Sequence, residues 1–476
     1  MLLILSLFLP LLSCKNSTTP PQTSDNDILA EQGFSDEEPN SNTDKKPLLS
    51  EEKSAAEAAL NELPDVSFGG ISFIITYAQR KNATFDDTAD SIVSKARFHQ
   101  IQIINNKYDT DIITALAHYP SMEDGLISAK ASQTVYSHLI FTDSNKIGTL
   151  TYKELIGNIN ALPFVDLSAP YFDHEINSAA STKTGLYGVA GDATFNADES
   201  AAVIYNKYLT SYLDIPSLEE TVKEGAWTLD KMREYSKMAH GTDKKNLYVS
   251  GVCTDGKRTV TDILFVASGI KTVERDDDSA PVLLDNRDAV TDIMSGIRDF
   301  FSESYFYEAE ENDKRYAYFK NGNALFLIDT LSAVKEICDM PYEWGVLPVP
   351  KVAQGSGDTP MTKHTGVICY PDSSNDSNEI AYILVALNLT ANRLIHKATV
   401  YDYLHNYVRC AENIEMIELI TKKTVTDFSL FYADEYGNYK SGTLDAFYRA
   451  VTENRKYSTL WFNSRWGARK SLSLIK

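Results

Sequence analysis

The sequence predicts an α/β fold, and three observations carry that expectation. From about Val66 onward, short runs rich in Val, Ile, Phe and Tyr alternate with helical stretches, as strands and helices of layered sheets do. Several of those runs are apolar without alternation, the pattern of strands covered on both faces and of largely parallel sheets. No repeat of 20–50 residues is visible, which sets solenoids and propellers aside. The expected strands are ISFIITY (71–77), HLIFT (138–142), LYGVA (186–190), AAVIY (201–205), ALFLI (324–328), WGVLPV (344–349) and GVICY (366–370). Each is bounded by charges or turn formers. Thr228 is placed to cap a helix whose inner face is Leu229, Met232, Tyr235 and Ala239. A longer helix is expected from Asn378 to about Lys397.

The chain has 476 residues, with 45 Lys and Arg against 66 Asp and Glu and five cysteines. That length suits two or three domains. A net charge of −21 argues against nucleic acid, which needs a clustered basic surface, and by the same electrostatics against an anionic membrane surface. With no CxxC pair, the cysteines exclude a zinc ribbon, a thioredoxin-type motif and a disulfide-dense scaffold. Cys253, Cys338, Cys369 and Cys410 read as buried free thiols.

The first residues, MLLILSLFLPLLSC, are apolar from Leu2 to Leu12 apart from Ser6 and Pro10. Eleven residues are too few to cross a bilayer, which needs about 20, but they suit the apolar region of a signal peptide. Leu11-Leu12-Ser13-Cys14 resembles the lipobox of bacterial lipoproteins. The resemblance implies that residues 1–13 are removed and that Cys14 is acylated, anchoring the chain on the extracytoplasmic face of a cell membrane. Residues 15–65 hold twelve acids and four lysines and open on a Pro/Ser/Thr/Asn-rich stretch. Too little apolar area is present there to offset chain entropy, so 14–65 reads as a disordered acidic tether with a reach of about 40 Å. Within it, Lys53 to Leu63 has the composition of a transient helix.

Four segments carry a further resemblance. They are Ala169-Pro170-Tyr171-Phe172, LYGVAGDATFNADESAAVIYNKYL (186–209), EGAWTLDKM (224–232), and the pair YFKNGNALFLID (318–329) with YEWGVLPVPK (342–351). In this order and spacing the body resembles an extracellular solute-binding protein of family 1, the receptor lipoproteins of ABC importers, of which maltose-binding protein is a distant relative. The end, WFNSRWGARKSLSLIK, departs from that pattern. The resemblance implies a two-lobed, periplasmic-binding-protein-like α/β fold with a ligand cleft between lobes joined by hinge crossings. Carried onto this chain, the crossings fall near 192–201, 328–330 and 370–374. The first lobe is then 66–195 plus 330–370, and the second 196–329 plus 371–476. A monomer is implied that captures a small solute, with sugar favoured, and hands it to ABC permease subunits. No catalytic residue, cofactor or metal is implied.

Several residues are candidates for the ligand. Glu199 either accepts sugar hydroxyls, as a carboxylate fork does in a shielded cleft, or is a solvated hinge carboxylate. Asp192, Asn196 and Asp329 are placed at strand ends facing the expected cleft. Tyr77, Gln79 and Arg80 follow the first strand and offer a flat amphipathic ring and a planar donor fork, against an exposed turn. Tyr171 and Phe172 read as half core and half cleft wall. Trp227 reads as core, and Trp461 and Trp466 as helix packing. The Arg275–Ser279 run lacks the spacing of a calcium loop and reads as a hairpin turn. His174-Glu175 has no second His four residues after the first, and Gly355-Ser356-Gly357 lacks the strand–turn–helix setting of a hydrolase nucleophile. Two other functions stay open at this point. One is a secreted glycoside-active enzyme, since a pair of carboxylates is a three-dimensional property; the other is a surface lipoprotein whose degenerate cleft serves adhesion or signalling.

Overall fold

A computed structural model describes residues 49–78, 91–241, 249–254, 256–277, 280–309, 312–352, 366–374, 376–408, 410–422, 426–432 and 443–474. The strands in chain order are β1 (Ile71–Ala78), β2 (Thr110–Ala117), β3 (Leu139–Asp143), β4 (Ala201–Asn206), β5 (Ser250–Thr254), β6 (Val273–Arg275), β7 (Pro281–Leu283), β8 (Phe306–Glu308), β9 (Ala324–Thr330), β10 (Trp344–Leu347) and β11 (Gly366–Cys369). They form two principal sheets and a small hairpin. The first sheet has the order β11-β3-β1-β2, the second β10-β4-β9-β5-β8, and β6 pairs with β7.

In the first sheet β1 is parallel to β2 and β3, with Ile71 opposite Thr110 and Ile75 opposite Leu139. Their carboxyl ends therefore share one edge. Parallel neighbours need a crossover, and the helix Ile92–Tyr108 supplies the one from β1 to β2. Ser91 caps that helix by accepting from the Ser94 amide, and Asp109 ends it in the left-handed region at φ 50°. Its buried Gln100 donates to the Leu387 carbonyl (2.8 Å) and to Thr390 (3.0 Å), tying it to the long helix Ser377–Asp402. β11 runs antiparallel to β3, with Gly366 opposite Asp143.

In the second sheet β5 is parallel to β8 and β9, whereas β4 is antiparallel to β9 and β10. Gly345 of β10 lies opposite Tyr205, and the Tyr205 ring covers the space a β-carbon would need. This is the physical reason for a glycine within YEWGVLPVPK. The Tyr205 hydroxyl donates to Glu219, which also pairs with Lys207 (3.2 Å). Trp227 is buried against Phe326 and donates from Nε1 to the Pro348 carbonyl (2.9 Å), the expected core role. Thr228 accepts from the Lys231 amide, and Leu229, Met232, Tyr235 and Ala239 are buried as their spacing predicts.

Several expectations require correction. The sheets are mixed rather than largely parallel, because strands entering at the crossings pair antiparallel. LYGVA forms no strand; Val189 makes one antiparallel bridge to Ile368 at the edge of the first sheet. Residues 50–61, expected in the tether, form a helix whose Ala56 and Leu60 are buried in the main core. β10, expected in the first lobe, pairs with β4 of the second sheet. β9 does not cross; it leads into the helix Ala333–Ile337 and then β10, so the chain returns to the first sheet only between Lys351 and β11. The Ser377–Asp402 helix starts beside the first sheet and runs on to Tyr403, which is buried in a second core, an apolar cluster on the second sheet with Ile204, Leu327, Val334 and Ile337. β2 and β5 are strands that the sequence pattern does not announce, since TDIITALA and SGVCT interleave small and polar residues among apolar ones.

Of the Arg275–Ser279 run, Arg275 ends β6 opposite Pro281 and Asp276 and Asp277 follow in the hairpin connection, where Asp276 accepts from the Ala280 amide (2.8 Å); residues 278–279 are outside the described residues. Cys253 and Cys369 are buried free thiols, and Cys338 and Cys410 are half-buried. Burial pushes the Cys369 thiol up to about 12. Among the described residues no helix is long and apolar enough to cross a membrane.

Candidate functional site

The first crossing is the segment between Ala190, at the edge of the first sheet, and β4. It is held from both sides by buried amides. Asn177 donates to the Ala190 carbonyl (2.9 Å) and accepts from the Ala190 amide (2.7 Å). Asn388, fully buried in the Ser377–Asp402 helix, accepts from the Ala193 amide (3.2 Å). A β-carbon on Gly191 would collide with the Asn388 side chain and the Tyr171 carbonyl, so only glycine permits the close approach there. Two short 3₁₀ turns follow, Asp192–Thr194 and Ala197–Glu199, the second capped by Asn196. Asp198 anchors the segment to the second core through Lys335 (2.8 Å) and the Tyr403 hydroxyl. Leu331 and Ser332 then donate from their amides to the carbonyls of Ser200 and Asp198.

Three of the expected site residues meet here. Asp192, Asn196 and Glu199 line one cavity of about 330 Å³, together with Asp173, Phe195, His396 and Lys422. Asn196 donates to Glu199 (3.1 Å), and the Phe195 ring stacks on His396 at 4.1 Å. The Asp192 carboxyl is pushed up to about 6 by burial, with a smaller push from Asp173 and an opposing hydrogen bond from Asn392; its Oδ2 is buried without a hydrogen-bond partner. Burial also raises Asp173, which caps the helix His174–Ala180, and lowers His396. Phe172 bridges Gly191, which sets this cavity against the first crossing.

The other candidates lie elsewhere. Tyr171 is half-buried against Phe172 and enters the crossing through its carbonyl, which accepts from the Asp192 amide (2.9 Å). Tyr77 is 2% exposed and stacked on Phe141, a core residue and not a surface for a ligand, because the odd side chains of β1 face inward. Asp329 is 8% exposed and bound to Arg315 (2.7 Å); the end of β9 turns its carboxylate into the protein and not toward the crossing. Gln79 and Arg80 lie outside the described residues. Trp461 is packed as expected, but Trp466 is 65% exposed. Five residues advance a helix by about 140°, so the two cannot share the packed face.

A second polar group forms at the shared carboxyl edge of β1, β2 and β3, where ligands of open α/β sheets are held. β3 ends at Asp143, and Ser144–Lys146 turns immediately after it. Ser144 Oγ and Asn145 Oδ1 are buried without hydrogen-bond partners, and Lys146 lies 4.9 Å from the Tyr119 ring centroid. A buried polar atom left unpaired costs about 1–3 kcal/mol. In the sequence this run reads only as the end of a strand; pairing of β3 with β1 is what brings it to the edge. Among the described residues no group of three or more His, Cys, Asp or Glu side chains is placed to hold a metal ion.

No protein-family model matches the chain, and no curated protein does. Solved structures do match. A cyclo/maltodextrin-binding protein complexed with maltotetraose aligns with a TM-score of 0.58 and 17% identity, covering 85% of this chain and 98% of that one. The cyclic α-maltosyl-1,6-maltose binding protein from Arthrobacter globiformis aligns with a TM-score of 0.59 at 11% identity, over 85% and 99% of the two chains. The maltose-binding periplasmic protein MalE from Listeria monocytogenes, in complex with maltose, gives 0.56 at 13% identity, over 85% and 99%. All three are named as binding proteins. At such identities the likeness is one of architecture: this chain has the two-lobed α/β fold of periplasmic binding proteins.

Proposed function

We propose that the protein is an extracytoplasmic sugar receptor of an ABC importer, tethered to the membrane by lipid on Cys14 and delivering its solute to a permease. The carrying observation is the two-sheet architecture with crossings between the sheets, shared over nearly the full length of solved proteins that bind maltodextrins. On this reading the first lobe comprises residues 49–191 and 366–395, and the second 200–352 and 403–474. Ser144, Asn145 and Lys146 supply hydrogen bonds from the first lobe. Glu199, with Asp192 and Asn196 behind it, supplies them from the crossing. A sugar that touches both lobes has differential affinity for the closed arrangement, and moving a population from 1:99 to 99:1 takes about 5.5 kcal/mol of that difference. Several hydrogen bonds to charged groups, at about 1.5–3 kcal/mol each, are enough. The reading requires no covalent chemistry.

The test is calorimetric titration and thermal melting of the full chain against maltose, longer maltodextrins and a panel of monosaccharides. A sugar present at 100 times its Kd is expected to add about 2.7 kcal/mol to stability, without any product appearing. Asn145→Ala and Glu199→Gln are each expected to weaken that binding at least tenfold without lowering the sugar-free melt. Turnover of an oligosaccharide would point to the glycoside-active enzyme instead. No response to any sugar would end the sugar reading.

A further inference from the structure

The last helix, Tyr457–Leu474, is a feature that solute capture leaves unused. The chain is acidic overall, yet the 23 residues from 454 to 476 contain six lysines and arginines and no aspartate or glutamate. The inner face of the helix, with Tyr457, Leu460, Trp461, Ala468 and Leu472, is buried in the core. The opposite face carries Phe462, 52% exposed, and Trp466, 65% exposed, one helical turn apart. The Arg465 guanidinium lies over both rings, 5.3 Å from that of Trp466, and Arg469 lies 5.8 Å from the same ring. Lys470 is exposed beside them. Arg465, Arg469 and Lys470 make no ion pair among the described residues; Asp285, the acid that acts electrostatically on Arg469, is already held by Arg287 (2.6 Å).

We infer that this face docks onto an anionic membrane surface, with Phe462 and Trp466 entering the headgroup layer and Arg465, Arg469 and Lys470 meeting lipid phosphates. The occupant follows from the chemistry on the helix. Rings stacked under guanidinium groups combine an apolar body with a cationic rim, the combination that interfacial helices use. Two large aromatic side chains held more than half in solvent favour an apolar surface, and cations outside ion pairs call for an anion. The net charge of −21 does not oppose this contact, because charges beyond a Debye length of about 8 Å are screened. Local charge therefore overrides the global balance. The inference stands on this helix alone and does not depend on acylation of Cys14 or on the solute.

The test is sedimentation of the full, unacylated chain carrying Cys14→Ser with vesicles of phosphatidylcholine, alone or with ~30% phosphatidylglycerol, an anionic lipid. The apolar N-terminal run partitions into both kinds of vesicle, so the readout is the ratio of the two partition coefficients. At about fivefold per cation, the unsubstituted helix is expected to favour the anionic vesicles at least tenfold at about 0.1 M salt, where the Debye length of about 10 Å still screens the acidic body. That preference should collapse as salt is raised. Arg465→Glu/Arg469→Glu/Lys470→Glu is expected to abolish the preference, and Phe462→Ala/Trp466→Ala to reduce partitioning into anionic vesicles severalfold, with melting curves kept as a check on folding. If charge reversal disturbs folding, the salt dependence of the unsubstituted helix decides the matter. A ratio near one would overturn the inference. So would a preference that survives both salt and charge reversal, and cross-linking of Trp466 to an acidic protein surface in place of lipid would do the same.

Discussion

Replacing Asp192 by Asn tests the electrostatics of the first crossing. The carboxyl is raised from 3.8 to about 6, chiefly because it is buried, with Asp173 adding to the push. A carboxyl whose native pKa lies above its unfolded value binds its proton more tightly in the folded protein. The stability it contributes is therefore complete below about pH 3.8 and is lost as pH rises through about 6. Two units at about 1.36 kcal/mol each make that loss about 3 kcal/mol, of which about 2 kcal/mol falls between about pH 4.5 and 7.5. The amide of the variant does not ionise. Urea unfolding of the native and Asp192→Asn proteins across this range should then show the variant gaining on the native protein by about 2 kcal/mol as pH rises. The buried amide introduces its own desolvation cost, but that cost is independent of pH and leaves the slope untouched. A difference that stays flat across the whole range would refute the account of Asp192 as a carboxyl whose ionisation is opposed by burial.

Two further predictions concern the frame around the site. Arg315→Met strands the Asp329 carboxylate in the second core and is expected to cost about 3–5 kcal/mol in urea unfolding. The double variant Arg315→Met/Asp329→Leu should recover most of that cost; additive losses would mean that the pair is not a buried unit. Asn388→Ala leaves the buried Ala193 amide without its acceptor and should cost about 1–3 kcal/mol, while a loss below about 0.5 kcal/mol would show that the crossing does not depend on this clamp.

Elements with a strong local pattern are legible in the sequence. The Trp227-Thr228 helix start is one, because a capping hydroxyl followed by apolar residues three and four apart leaves no other way to bury them. β1, β4 and β9 are others, being apolar runs long enough to cross a sheet. β2 and β5 are not legible, because polar and small residues dilute their pattern and only pairing with neighbours makes them strands. The crossings are half legible. The chain does pass between the sheets at Asp192 to Ala201, where the family resemblance puts a crossing, whereas the end of β9, where it puts another, leads on to β10, which pairs with β4. Of the candidate site residues, Asp192, Asn196 and Glu199 come together because they are close in sequence. Tyr77 and Asp329 do not join them, since the direction of a side chain at a strand end depends on the register of its neighbours.

By itself the sequence determined the alternation of strands and helices, the acidic N-terminal stretch and the residue types of the first crossing. Each of these is set by neighbours a few positions apart, through helical spacing, strand length and turn chemistry. Only the tertiary structure decided which sheet each strand joins, that residues 50–61 pack against the core, and that Ser144 and Asn145 follow β3 at the carboxyl edge of the first sheet. It also turned Trp461 inward and Trp466 outward. Those outcomes rest on contacts between residues tens to hundreds of positions apart, whose energies no local window of the chain contains.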